Sequence, residues 1–262
     1  MKLRFMSDLH LEFYPSPAEM WMPSLDDSDV FILAGDIFAD NSYSPAWLAR
    51  LLKQSDVIYV PGNHEPYGSY FTMPNYYAAC KQAQELAGDE HKIHYGSRFV
   101  VIKDDVRFIC TTMWTDFNKE NWITMKHAQR GMNDYERIIV NENRKKLKPD
   151  MVLVEHRLNY GFVAAELAKP WHGKTVVVTH HAPCSLSSLE HYKGDELTYC
   201  YFRDMPELVE QANLWIHGHM HNTSDYVIGD KPGFGRIVTN PRGYDWHSGL
   251  NPDFNELKTI TL

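Results

Sequence analysis

Five short stretches of this chain combine the residue types that hold divalent metals. They are Asp8-Leu9-His10, Gly35-Asp36, Gly62-Asn63-His64-Glu65, Thr179-His180-His181 and Gly218-His219-Met220-His221. Carboxylate with imidazole suits Mn²⁺, Fe or Zn²⁺ better than Mg²⁺ or Ca²⁺, which prefer shells of oxygen alone. In an extended chain, positions i and i+2 point to the same side. Asp8 with His10, and His219 with His221, can therefore each present two ligands toward one place. Alone, such a pair is a common coincidence in a chain with 14 histidines, and a lone Gly-Asp is more often a turn or a helix cap. Gly62 to Glu65 is more specific, because a Pro-Gly-Asn turn explains Pro61 to Asn63 and leaves His64-Glu65 without a reason. Taken together the set reads as a two-metal site, whose chemistry is attack by metal-activated water.

Each stretch follows a run of β-branched and other apolar residues, which is how a sheet gathers distant positions onto one edge. The runs are Leu3 to Met6, Val30 to Leu33, Val57 to Val60, Thr175 to Val178 and Leu214 to Ile216. Residues 45–54 read as a helix with Ser44 as N-cap and Pro45 at its first position. A second helix, with Tyr77, Cys80, Ala83 and Ala87 on one face, ends at Gly88. Phe99 to Ile102 and Val106 to Cys110 read as a hairpin. Residues 117–170 read as mostly helical, with Met132, Tyr135, Ile138 and Ile139 as one stripe and Leu158, Phe162 and Ala165 as another. That segment holds few motif residues and reads as a cap-like insertion. The strand–helix rhythm predicts an α/β layered fold, and with no visible linker residues 1–262 are expected to form one domain.

The chain has 262 residues, 44% hydrophobic and 23% charged, with a formal net charge of −8. This balance argues against duplex nucleic acid as a partner, which calls for a basic face. It leaves a small phosphate substrate open, since bound metals would dominate the local field. The densest basic run, Arg144-Lys145-Lys146 with Lys148, is most simply the solvated end of a helix. Cys80, Cys110, Cys184 and Cys200 have irregular spacing and read as free thiols of a reducing compartment. Met1 to Met6 is too short and polar for a signal peptide, and no stretch is long and apolar enough to span a bilayer. A cytoplasmic protein without membrane contact is the expectation.

In this order, spread from residue 8 to residue 221, the five stretches resemble the calcineurin-like metallophosphoesterase superfamily. Its pattern is Asp-x-His, Gly-Asp, Gly-Asn-His-Asp/Glu, His and Gly-His-x-His. Met113 to Phe117 and Asn240 to Tyr244 also resemble its bacterial and phage members. The resemblance implies a four-layer α/β/β/α sandwich of two mixed sheets flanked by helices. It implies one metal held by Asp8, His10 and His221 and a second by Asn63, His180 and His219, with Asp36 bridging. By the same resemblance His64 is not a ligand but contacts the phosphate and assists the leaving group, and Glu65 orients it. The implied reaction is hydrolysis of a phosphate ester by a metal-bridging hydroxide. Mn²⁺ is the expected ion, with Fe, Zn or Ni as alternatives.

Gly35-Asp36 continues as Ile37-Phe38-Ala39-Asp40-Asn41 and lacks the x-Val-Asp-Arg-Gly of protein Ser/Thr phosphatases. A phosphodiesterase acting on a small phosphate ester or nucleotide is therefore placed ahead of a phosphomonoesterase or protein phosphatase. A non-catalytic scaffold of the same fold would require missing ligands, and none is missing. Spacing does not choose between His180 and His181; the resemblance favours His180, leaving His181 behind it or facing the substrate. Arg242 has the right group to grip phosphate, or is simply part of the Asn240–Tyr244 turn, and Tyr67 likewise faces the substrate or packs. His217 reads as a core histidine, and His91, His94, His127, His156, His172, His191 and His247 as ordinary polar residues.

Overall fold

A computed structural model describes residues 1–24, 27–40, 42–68, 72–244 and 249–262; His247 and Asn41 lie outside the described residues. Eleven strands are described: β1 Lys2–Met6, β2 Val30–Ala34, β3 Asp56–Val60, β4 Ile93–Tyr95, β5 Phe99–Lys103, β6 Val106–Cys110, β7 Lys174–Val178, β8 Leu214–His217, β9 Asp225–Val227, β10 Arg236–Thr239 and β11 Thr259–Thr261. They form one sheet in the order β11-β1-β2-β3-β4 and a second in the order β5-β6-β7-β8-β10-β9. In the first, β1 to β4 run parallel and β11 is antiparallel. In the second, β6, β7, β8 and β10 run parallel between antiparallel edges β5 and β9.

The uninterrupted apolar runs are explained by burial on both faces. Phe5, Ile32 and Ile58 of the first sheet meet Phe108, Val176, Ile216 and Val238 of the second. The alternate residues Phe31, Leu33, Val57 and Tyr59 pack outward on Trp47, Leu48, Tyr76 and Cys80 of helices Pro45–Leu51 and Thr72–Ala87. On the far side Ile109, Val177, Trp215 and Ile237 pack on Val163, Leu167, Leu208 and Val209. The result is the expected α/β/β/α sandwich of two mixed sheets. Because β1, β2, β3, β7 and β8 are parallel within their sheets, their C-terminal ends deliver all five motif stretches to one edge, where ligands bind in open α/β sheets.

Ser44 caps the helix Pro45–Leu51 as expected, accepting a bond from Trp47 N, and the following residues to Gln54 are turn rather than helix. In the second helix Tyr76, not Tyr77, faces the core, and Tyr77 is half out of it. The insertion holds helices Trp122–Gly131, Asp134–Arg137 and Pro149–Leu167. The first expected stripe is buried at Tyr135 and Ile138 but is not one helix face, and the second is wrong in register. Ile138 is extended at the end of its helix, where it pairs with Tyr67, and Ile139 pairs with Lys146 in β-bridges. The long helix buries Val152, Leu153, His156, Asn159, Val163 and Leu167 and exposes Leu158. That face carries polar residues because His156 Nδ1 donates to Trp114 O and Asn159 Oδ1 accepts from Trp114 N. His156 is thus a buried structural partner. The basic run is not a helix C-terminus either: Arg144 to Lys146 follow a turn at 142–143 and run into the β-bridge of Lys146 with Ile139, and Lys148 is the N-cap of Pro149–Leu167. All four cysteines are buried free thiols. No helix among the described residues is long and apolar enough to cross a membrane.

Candidate metal centre

The i, i+2 pairs reach the site by a route other than extended chain. Asp8, His10, Asp36, His219 and His221 all lie beyond their strand ends with left-handed backbone, at φ 53°, 48°, 57°, 69° and 54°. For residues other than glycine such conformations cost about 1–3 kcal/mol each and persist where the surroundings enforce them. Here the loops zip together: Asp8 N donates to Gly35 O, His10 N to Asp36 O, and Gly218 N to His180 O. His219 N donates to both oxygens of Asp8.

The side chains converge as metal ligands would. His10 Nε2 lies 3.2 Å from His221 Nε2, and His221 Nε2 lies 3.3 Å from Asp8 Oδ1. His180 Nε2 lies 3.0 Å from Asn63 Oδ1, 3.2 Å from His219 Nδ1 and 3.3 Å from Asp36 Oδ2. A single proton satisfies only one such contact at a time, whereas a cation satisfies every lone pair aimed at it. His219 Nε2 is moreover buried with no hydrogen-bond partner among the described residues. His180 Nδ1 donates to Ala34 O at 2.9 Å, which leaves Nε2 as the lone-pair nitrogen. The cradle requires glycine: a Cβ at Gly35 would lie 2.3 Å from His180 Nδ1, and one at Gly62 2.2 Å from Asp36 Oδ1.

Among the described residues three groups have ligand atoms within 4.8 Å of one another and could each hold an ion: Asp8, His10 and His221; His10, Asp36 and His64; and Asp36, His180 and His219. Asp36 belongs to two of them. This mixed nitrogen and oxygen set fits divalent transition metals. Burial pushes the Asp36 carboxyl up, but His180 and His64 outweigh it and hold it well below the usual range. Without a metal, burial opposes charge on His180 and His64, yet Asp36 raises them to about 10 and about 9, aided at His64 by Glu12; an ion at His180 Nε2 would displace the proton held there.

Glu65 does not orient His64. Its carboxylate accepts from Asp36 N, Ile37 N, Gly62 N and Tyr59 OH, tying two motif loops together. Burial, then Asp36, pushes it up to about 7. The carboxylate on the His64 ring is Glu12, with Oε1 2.9 Å from Nδ1, a residue the motif reading missed. Its signal was present in Asp8-Leu9-His10-Leu11-Glu12, one step further along the same alternation.

His181 is buried behind the site, 4.3 Å from the His219 ring and 5.0 Å from Trp114, and burial holds it neutral down to about 3. It does not face the cleft. Arg242 is also turned away: its guanidinium lies over Trp21 at 4.8 Å, and Nη2 donates to Tyr14 OH. The residue of that turn beside the site is Tyr244, stacked on His10 at 4.2 Å. His217 is a core histidine, held by Ser187 Oγ and Gly218 O.

Asp134, from the insertion, was not foreseen. It is buried, and its Oδ1 accepts from Asn63 Nδ2 at 2.8 Å and Tyr67 OH at 2.7 Å. Only an amide nitrogen can face this carboxylate, so Asn63 Oδ1 must face His180. Tyr67 in turn stacks on His64 at 4.2 Å. Asp134→Ala is expected to weaken metal binding about 10–100-fold, read by calorimetric titration of Mn²⁺ into metal-free protein; unchanged affinity would mean that Asn63 needs no such support.

Over these groups lies a cleft of about 340 Å³, floored by Asp36, His64, His219 and His221, with Ser188, Leu189, Tyr192, Tyr201, Met220, Asn222 and Tyr244 around it. A larger hollow of about 410 Å³ by Lys174, Asn213 and Leu262 lies at the opposite strand ends and contains none of the metal-ligating groups.

The sequence matches the family model described as calcineurin-like phosphoesterase over residues 1–223. An uncharacterized protein, L509, of Acanthamoeba polyphaga mimivirus is 27% identical over 283 positions, covering 95% of this chain and 94% of that protein. Among solved structures, the phosphopantetheinyl hydrolase PptH of Mycobacterium tuberculosis shares the fold with a TM-score of 0.65 at 17% identity, covering 93% of this chain and 89% of that one.

Proposed function

This chain belongs to the calcineurin-like phosphoesterase family and is a metal-dependent phosphoester hydrolase; on that premise we propose that it is a phosphodiesterase of a small or nucleotide substrate, supported by Mn²⁺. The observation that carries the diester reading is the cleft wall. No lysine or arginine is among the described residues lining it, and Leu189, Tyr192, Tyr201, Met220 and Tyr244 are. A monoester is largely a dianion near neutral pH, with a second pKa of about 6, and gains from cationic side chains. A diester carries one charge and two organic substituents, which suit apolar and aromatic walls.

In this reading Asp8, His10 and His221 hold one ion, Asn63, His180 and His219 the other, and Asp36 serves both. When bound, such ions supply Lewis acidity and an activated water. His64, protonated and tied at Nδ1 by Glu12, offers Nε2–H to the departing oxygen, the task of a general acid. Glu65 keeps the Asp36 and Gly62 loops in register. Residues 1–262 act as one domain, with the insertion tied to the site through Asp134. The net charge of −8 disfavours a duplex substrate, and the four buried thiols suit a reducing, cytoplasmic setting.

The test is hydrolysis of bis-p-nitrophenyl phosphate against p-nitrophenyl phosphate with Mn²⁺. The diester is expected to turn over faster. Preference for the monoester would replace this reading with a phosphatase, and less than one metal per chain under Mn²⁺ would favour a scaffold.

A further inference from the structure

Glu12 lies in the short turn Leu11–Phe13 directly after the first motif, and its side chain is only 5% exposed. Oε1 is 3.2 Å from His10 Nδ1 and 2.9 Å from His64 Nδ1, and the two rings meet edge to face at 4.5 Å. The other oxygen, Oε2, is buried and takes no hydrogen bond among the described residues. An ionised carboxylate only accepts, so each Nδ1 facing it carries a proton. Fixing Nδ1–H turns both Nε2 atoms the other way, and His10 Nε2 indeed faces His221 Nε2.

We propose that Glu12 is a positioning residue serving two histidines with different tasks. One oxygen sets the tautomer and ring angle of His10, leaving its Nε2 lone pair for a metal. The same oxygen aims His64 Nε2–H at the leaving group; this second half rests on the phosphodiesterase reading, and the first half does not. Glu65, adjacent to His64 in sequence, is fully occupied by other donors, so Glu12 is the carboxylate in place to do this.

The experiment compares wild type with Glu12→Leu, which removes both acceptors at similar volume, and Glu12→Gln, which keeps a carbonyl acceptor without charge and reads the role should the leucine variant not fold. Calorimetric titration of metal-free protein with Mn²⁺ is expected to show affinity falling about 10–100-fold in Glu12→Leu and less in Glu12→Gln. Turnover of aryl phosphodiesters is then measured at saturating Mn²⁺ with leaving phenols of rising pKa. Good leaving groups depart without a proton, so the variants' loss should grow from under about 10-fold for dinitrophenol to about 100-fold or more for phenol. Wild-type Mn²⁺ affinity in both variants would overturn the His10 half, and a loss uniform across the phenol series would overturn the His64 half. If wild type cleaves none of these diesters, the phosphodiesterase reading fails together with the His64 half, while the titration still decides the His10 half.

Discussion

Asp36→Asn is expected to cut Mn²⁺-dependent turnover by about 10³-fold or more and to leave fewer than two ions per chain. Asparagine has the same shape and can still accept the bond that His64 N makes to Asp36 Oδ1 at 2.8 Å. What it loses is the buried negative charge shared by two of the candidate ligand groups. The Oδ2 position, 3.3 Å from His180 Nε2, can then present an amide N–H to a nitrogen that must offer a lone pair. The metal-free fold should lose some stability, because His180 and His64 outweigh burial and favour the charged carboxylate in the folded state, but asparagine keeps the shape and the bond from His64 N. The fully metal-bound fold should not be reached. Any ligand that binds only the native state stabilises it by mass action, so Mn²⁺ should raise the melting temperature of wild type by more than that of the variant. Elemental analysis, melting with and without Mn²⁺, and turnover would be measured together. Two bound ions with wild-type turnover would show that Asp36 is not a shared ligand.

Much of the fold was legible because a strand buried on both faces must be apolar at every position. Val30 to Leu33 and Thr175 to Val178 could hardly be anything else, and alternate residues of each now fill different layers. The insertion was less legible because its buried helix face is partly polar. His156 and Asn159 are inside because the Trp114 backbone needs partners there, and apolar periodicity has no means of finding them. Ile138 and Ile139 fit a helical stripe, yet the pair lies past the helix end, where β-branched residues favour extended backbone.

At the site, residue types and order were legible while directions were not. Asp8-x-His10 and His219-x-His221 deliver paired side chains, but through left-handed turns rather than by the alternation of a strand. Where a side chain points beyond its strand end is decided by tertiary contacts. Glu65 is drawn to the amides of Asp36, Ile37 and Gly62, Arg242 to the Trp21 ring, and His181 into the space behind His219. Asp134 stands 71 residues from the asparagine it holds, a separation at which one sequence carries no signal.

His64→Ala separates a proton donor from a ligand, which the geometry alone does not do, since His64 also lies in a group with His10 and Asp36. If His64 is the donor, the variant should keep two ions and lose about 10²–10⁴-fold in turnover of a diester with a poor leaving group. The ligand loops should hold, because the His64 backbone N–H to Asp36 survives the substitution and Glu65 still ties the Gly62 loop. The missing ring leaves a slot between Tyr67 at 4.2 Å and His10 at 4.5 Å, with the Glu12 carboxylate at its end. Added imidazole should enter that slot, donate one N–H to Glu12 and restore part of the rate, whereas it has no such route to rescue a lost metal. Equal loss of metal and turnover, with no rescue, would make His64 a ligand and assign the proton transfer elsewhere.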